Sequence, residues 1–165
     1  MFVCGGYKAT IKDISDEELK RYYTPEQIAI LKEKGVLENY FWSERPVIPA
    51  KIEGKTKLFD WGNRDKKAPF PVTGWAKKES VDAGRWNYLN PSKVTIPINK
   101  GYEKKVCFDM PEGTEGLLLE KEGDRRVYMI TEEAKGGYLK ATNHPRMPIG
   151  EKTNFKKNER GRIKR

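Results

Sequence analysis

Long apolar runs, cysteine and histidine are what this 165-residue sequence has least of. Its longest apolar stretches are a few residues, as at Leu117-Leu118-Leu119, whereas a bilayer-spanning helix takes about 20. No basic segment followed by an apolar one opens the chain, so no secretory signal is expected and the expected compartment is the cytoplasm. The two cysteines, Cys4 and Cys107, then read as free thiols in a reducing environment. With the single histidine, His144, they make three candidate zinc ligands without C-x-x-C spacing, so neither a structural zinc site nor a cofactor is expected.

What is present suits one folded domain, since 165 residues can enclose one core but not comfortably two. Charged residues make up 35% and apolar residues 36%, and eight Tyr, six Phe and four Trp are too many large side chains for a disordered chain. The net charge is +9, and residues 151–165 supply seven Lys or Arg against two Glu. A polyanion is the natural partner. Apolar periodicity ends after Pro148, so the expected organisation is a domain over residues 1–150 and a basic C-terminal tail over 151–165.

An N-terminal strand is expected, followed by two short helices. Ser15-Asp16-Glu17-Glu18 has the form of a capping box opening a helix from Asp16 to Tyr22. Thr24-Pro25-Glu26-Gln27 repeats the signal, with proline at the first helical position and Gly35 as a left-handed stop. From Pro46 onward, Gly, Pro and Asn punctuate short runs rich in Val, Ile, Phe and Tyr, a β signature. Strands are predicted at Val47–Ile52, Lys57–Trp61, Val94–Ile98, Lys105–Met110, Gly116–Glu120 and Val127–Thr131, with loops over Arg64–Pro71 and Val81–Pro91. Glu132–Ala141 reads as a short helix weakened by Gly136-Gly137.

Cys4 sits in Val3-Cys4-Gly5-Gly6-Tyr7. With the residues before it removed it would carry an α-amine and a thiol on one residue, a pair that captures aldehydes as a five-membered thiazolidine ring. Phe2 is too large for ordinary methionine trimming, so the expectation is that translation starts at position 3, a GTG codon begun with Met, and that Met-Cys-Gly opens the chain. On its own Cys4 also reads as a buried apolar thiol in the first strand. The flanking Gly5-Gly6, which lets a ligand approach the backbone, favours a functional reading.

Five pieces, in this order and spacing, resemble the SOS response-associated peptidase family, also called abasic-site processing proteins. Cys4-Gly5-Gly6-Tyr7 is similar to the family's opening Cys-Gly-Arg-aromatic, with glycine at the arginine position. Trp61-Gly62 follows as the family's Trp-Gly pair. Trp75-Ala76-Lys77-Lys78-Glu79-Ser80 resembles Asn-Ala-Arg-x-Glu-Thr, with tryptophan in place of asparagine. Pro97 to Lys104 resembles Pro-Ala-x-Gly-aromatic-Tyr-Glu-Trp and keeps the interval from proline to Glu103. Met129 to Ala134, leading to His144-Pro145-Arg146-Met147-Pro148, is similar to Thr-Thr-Glu-Ala-Asn leading to His-x-Arg-Met-Pro.

The resemblance, to a divergent member, implies a single compact β-rich α+β domain with barrel-like antiparallel sheets and short helices. It implies a monomeric protein of the DNA damage response that binds single-stranded DNA at abasic sites and forms a covalent crosslink through Cys4. Catalytic roles carry over to Cys4, Glu103 and His144: Glu103 as general acid and base, His144 as the partner of the opened sugar hydroxyl or of proton transfer. By themselves Glu103 reads as an exposed strand-end glutamate and His144 as a structural histidine before a proline-rich turn. DNA-binding roles carry over to Lys77 and Arg146 on phosphates and to Trp61 and Trp75 on unpaired bases, each stack being worth about 1–3 kcal/mol. For Arg146 a structural salt bridge stands level with the phosphate role, and for the two tryptophans core packing is the alternative, the favoured reading at Trp61. Asn63, Asn99 or no residue at all replaces the missing asparagine. Two other readings of the whole chain stand beside this one: a non-catalytic nucleic-acid-binding module, and an N-terminal-nucleophile cysteine peptidase or amidase.

Overall fold

Both predicted helix caps form, and each ties its helix down differently. The computed structural model describes residues 5–103 and 105–157. Helix α1 is Asp16–Lys20, with the Ser15 hydroxyl accepting from the Glu18 N–H at 3.2 Å. The Glu18 carboxylate does not complete the box. It accepts from the Leu58 N–H at 2.9 Å and pairs with Arg21 at 3.0 Å, which fastens α1 to a neighbouring strand. The helix therefore stops at Lys20, short of Tyr22. Helix α2 is Pro25–Lys34; its Thr24 and Gln27 bonds are both present, and Gly35 ends it at φ 76°.

The strands in chain order are β1 (Gly5–Thr10), β2 (Val36–Tyr40), β3 (Val47–Ile52), β4 (Lys55–Trp61), β5 (Trp75–Lys77), β6 (Ser92–Ile96), β7 (Lys100–Glu103), β8 (Val106–Asp109), β9 (Thr114–Lys121), β10 (Asp124–Glu133), β11 (Arg146–Pro148) and β12 (Thr153–Lys157). Helix α3 (Lys78–Asp82) directly follows β5, and α4 (Gly136–Thr142) lies between β10 and β11. The predicted Val81–Pro91 loop thus holds the end of α3 and a 3₁₀ turn at Asn87–Leu89. Residues 132 and 133 continue β10, so the predicted helix begins later, at Gly136, whose φ of 58° suits glycine.

One sheet has five strands in the order β12-β8-β7-β1-β2, all antiparallel. In the other, β9 pairs with both β6 and β10, closing the ring β10-β4-β3-β6-β9, while β11 and β5 attach to β10. The protein is thus a β-rich α+β domain with a barrel-like sheet, as expected from the sequence. The sheets are not wholly antiparallel, because β10 runs parallel to β4 and to β5. The core between them includes Tyr7, Leu37, Ile48, Leu58, Trp61 and Val127.

Two glycines bring the strands of the first sheet under large rings. Gly6 faces Tyr40 on β2 and Tyr102 on β7, whose rings stack at 5.4 Å, and a Cβ there would lie 2.5 Å from the Tyr40 ring. Gly101 faces Phe108, 2.6 Å from where its Cβ would be. The arginine that the resemblance puts at position 6 has no room beneath Tyr40.

The C-terminal boundary needs correction. Residues 151–165 do not all form a solvated tail: Thr153–Lys157 pairs with β8, and Phe155 packs on Phe108 and Tyr138 at 5.6 and 6.3 Å. A single apolar residue between charged ones gives no periodicity, yet it suffices at a sheet edge where one face is covered. No helix among the described residues is long and apolar enough to cross a membrane.

Candidate active site

A cavity of about 190 Å³ opens between the two sheets. Gly5 and Gly6 of β1 and Gly101 to Glu103 of β7 form one wall; Trp75 and Lys77 of β5, Met129 and Thr131 of β10, and Arg146 to Pro148 of β11 form the other. Tyr138 and His144 also line it. Of the site candidates of the sequence that fall among the described residues, Trp61, Trp75, Lys77, Glu103, His144 and Arg146 border this one cavity. Cys4 and Lys104 lie outside the described residues. The neighbour of Cys4, Gly5, lines the cavity and is the strand partner of Glu103.

Glu103 is 5% exposed, so the exposed strand-end reading is wrong. Antiparallel alternation turns its side chain inward, because Glu103 shares a sheet face with Gly101, against whose Cα the Phe108 ring rests. Its Oε2 lies 3.7 Å from Nε2 of His144, whose side chain is 11% exposed. Burial pushes the neighbouring Tyr138 phenol up, and the Glu103 charge adds to that shift.

His144 follows α4, whose last turn closes at Asn143 with φ 54°. Its backbone N–H donates to the Thr142 hydroxyl at 3.1 Å. Its Nδ1 lies 2.9 Å from the Arg146 carbonyl oxygen and 3.2 Å from the Arg146 backbone nitrogen. The ring is thereby fixed by β11 on one edge and turned toward Glu103 on the other.

Arg146 is not a free phosphate anchor. Its Nη2 and Nη1 donate to Glu79 at 2.8 and 3.3 Å, and Nη2 and Nε also reach the Thr131 carbonyl and hydroxyl at 2.8 and 3.3 Å. The salt bridge that the sequence left as an alternative is the one formed. Arg146 holds Glu79 well down, to about 2. Lys77 is exposed on the rim and makes no ion pair among the described residues.

Trp61 is 1% exposed, with its indole N–H donating to the Gly74 carbonyl at 3.0 Å and its rings set edge-on to Tyr7, Phe41 and Trp75. No face is left for a base, and the core-packing alternative holds. Trp75 is half-buried and keeps part of its surface toward the cavity. Neither Asn63 nor Asn99 borders the cavity. Asn63 is buried in its own loop, bonded to Asp65, Phe70 and Arg126, and Asn99 accepts from the Thr10 N–H at 2.8 Å.

Tyr138 and Thr131 join the site without a sequence signal, since a tyrosine after Gly-Gly and a threonine in a strand carry no local mark of a shared cavity. Among the described residues no cluster of His, Cys, Asp and Glu is arranged to hold a metal ion. The arrangement offers a buried carboxyl and an imidazole facing each other beside the strand that begins just after Cys4, with the Lys77 ammonium on the rim. Comparison with models of known protein families and with the sequences of characterised proteins finds no match to this chain.

Proposed function

We propose that the protein captures abasic sites in single-stranded DNA as a thiazolidine crosslink through Cys4. One observation carries the reading: Glu103 and His144, distant in sequence from each other and from the N-terminus, meet at 3.7 Å in a cavity whose wall includes Gly5, the residue after Cys4. The cavity, at about 190 Å³, is smaller than the roughly 300–1,000 Å³ of sites for drug-sized ligands. It suits a base-less sugar better than a whole nucleotide.

The chemistry balances without a cofactor. Ring opening of the abasic sugar exposes its aldehyde, and a proton moves from the ring hydroxyl to the ring oxygen. The Cys4 α-amine adds to the aldehyde carbon, water leaves to give an imine, and the thiol adds across the C=N bond while its proton goes to nitrogen. Each step moves a proton over a short path, the task that the Glu103 carboxyl and the His144 imidazole are suited to. An α-amine with a pKa of about 7.7–8.0 and a thiol near 8.5 are both usable around neutrality. Lys77 supplies a point charge for a flanking phosphate and Trp75 a partly open ring for a flanking base.

The test uses protein beginning at Cys4 and a single-stranded oligonucleotide with one abasic site. The expected product resists denaturation and has the summed mass of the two partners less one water, and Cys4→Ala abolishes it. Salt-sensitive binding with no adduct would leave a binding module and overturn the chemistry. Neither adduct nor binding would overturn the reading altogether. An efficient adduct from protein that retains Met1-Phe2-Val3 would overturn the thiazolidine mechanism.

A further inference from the structure

We propose that Glu79 and Arg146 form a clamp that fixes His144 as its Nδ1–H tautomer, so that the proton exchanged in the cavity is the one between Nε2 and Glu103. The clamp crosses three elements. Glu79 lies in the first turn of α3, Arg146 begins β11, and the guanidinium passes over Thr131 of β10, donating to its carbonyl and hydroxyl on the way. The Ala134 N–H donates to the Pro145 carbonyl at 2.9 Å. Alternation of the antiparallel ladder then turns the N–H and C=O of Arg146 away from β10. They face His144 instead.

Either peptide group of Arg146 can meet Nδ1, and the distances decide between them. The carbonyl oxygen is at 2.9 Å and the backbone nitrogen at 3.2 Å. A bare nitrogen lone pair held 2.9 Å from a carbonyl oxygen is repelled, whereas an Nδ1–H at that distance makes an ordinary hydrogen bond. A bare Nδ1 would accept from the backbone N–H at 3.2 Å while facing the carbonyl oxygen at 2.9 Å, and an Nδ1–H would do the reverse; the nearer contact is the one the proposal gives to the hydrogen bond. With Nδ1 committed as a donor, Nε2 takes up or gives a proton on the side facing Glu103 Oε2, 3.7 Å away. Lys77 from β5, Tyr102 from β7, Tyr138 from α4 and Arg146 from β11 are the other titratable and charged groups that line the cavity with this pair. The Arg146 guanidinium holds the Glu79 carboxyl down, to about 2, so the ion pair of the clamp is kept in mildly acid solution.

Glu79 is by this account a positioning residue, acting through Arg146. The tautomer does not depend on the abasic-site reading; only its use in proton transfer rests on that reading. Because the chain has a single histidine, long-range ¹H–¹⁵N spectra of uniformly labelled protein report on His144 without assignment ambiguity. In the parent, the neutral ring is expected to show protonated Nδ1 and bare Nε2, the reverse of the preference of a free histidine side chain. Glu79→Gln, which keeps shape and loses charge, is expected to move the ratio toward Nε2–H, and Glu79→Asp to move it back. A neutral parent ring protonated at Nε2 would overturn the proposal, and that measurement stands whether or not a variant folds. So would an unchanged ratio in a Glu79→Gln protein whose amide spectrum is otherwise that of the parent. In the kinetic arm, Glu79→Gln is expected to slow adduct formation while leaving half-saturation by single-stranded DNA in place. Absence of any adduct from the parent would strike the abasic-site reading and leave the tautomer result intact.

Discussion

A buried carboxyl in a polar chain is costly unless it is bonded or protonated, and Glu103 is buried facing the His144 imidazole at 3.7 Å. Glu103→Gln keeps the shape and removes the proton shuttle that the proposed function assigns to this carboxyl. General acid–base contributions are typically about 10²–10⁴-fold, so crosslinking should slow at least tenfold by quench-flow or gel assay. A rate within about twofold of the parent would return Glu103 to a structural role. Glu79 gives a pH prediction of definite sign. Its pKa is lowered on folding, so the clamp's contribution is present above the ordinary carboxyl value of about 4.3 and is lost only as pH falls through the folded value of about 2. A carboxyl ¹³C titration should find Glu79 still ionised at mildly acid pH, and a midpoint near the ordinary value would remove the clamp. Trp61→Ala should destabilise the fold by about 3–5 kcal/mol in denaturant titration, since it empties a buried aromatic site. A loss confined to DNA affinity would reinstate base stacking. Motif spacing singled out Glu103, His144 and Lys77, and the structure brings the three to one cavity. Which arginine contacts were already satisfied was not legible in the sequence, because Glu79 and Arg146 meet only when α3 and β11 lie on opposite sides of β10.

The elements show where local signals suffice. β3 forms at Val47–Ile52 as predicted, and α2 between its cap and its glycine stop, because the deciding contacts are a few residues apart. β12 shows the opposite case. Its Lys-rich sequence becomes a strand by pairing with β8 and by laying Phe155 on Phe108 and Tyr138. Ending the chain at Gly150 should therefore lower the melting temperature, and Phe155→Ala alone should cost about 1–2 kcal/mol for a half-buried ring. If the truncated protein melts like the parent, β12 does not contribute to the fold.

At the scale of the molecule, a net charge of +9 favours any polyanion, and the cavity would select among them. Removing residues 158–165 leaves β12 in place and takes away four Lys or Arg and one Glu. Single-strand affinity should fall at low salt, and the log K against log salt slope should flatten by about 0.7 for each phosphate that these charges neutralise in the full chain. An unchanged slope would show that they do not touch DNA. Composition, caps and turn residues were enough to determine one β-rich α+β domain, its two N-terminal helices and most of its strands, since each depends on neighbours in sequence. The tertiary structure alone decided that β9 closes a ring with β6 and β10, that the chain beyond Gly150 adds an edge strand, that Trp61 is core, and that Glu103 faces His144. Those outcomes depend on which strands become neighbours, and pairing over tens of residues leaves no periodic trace in either partner.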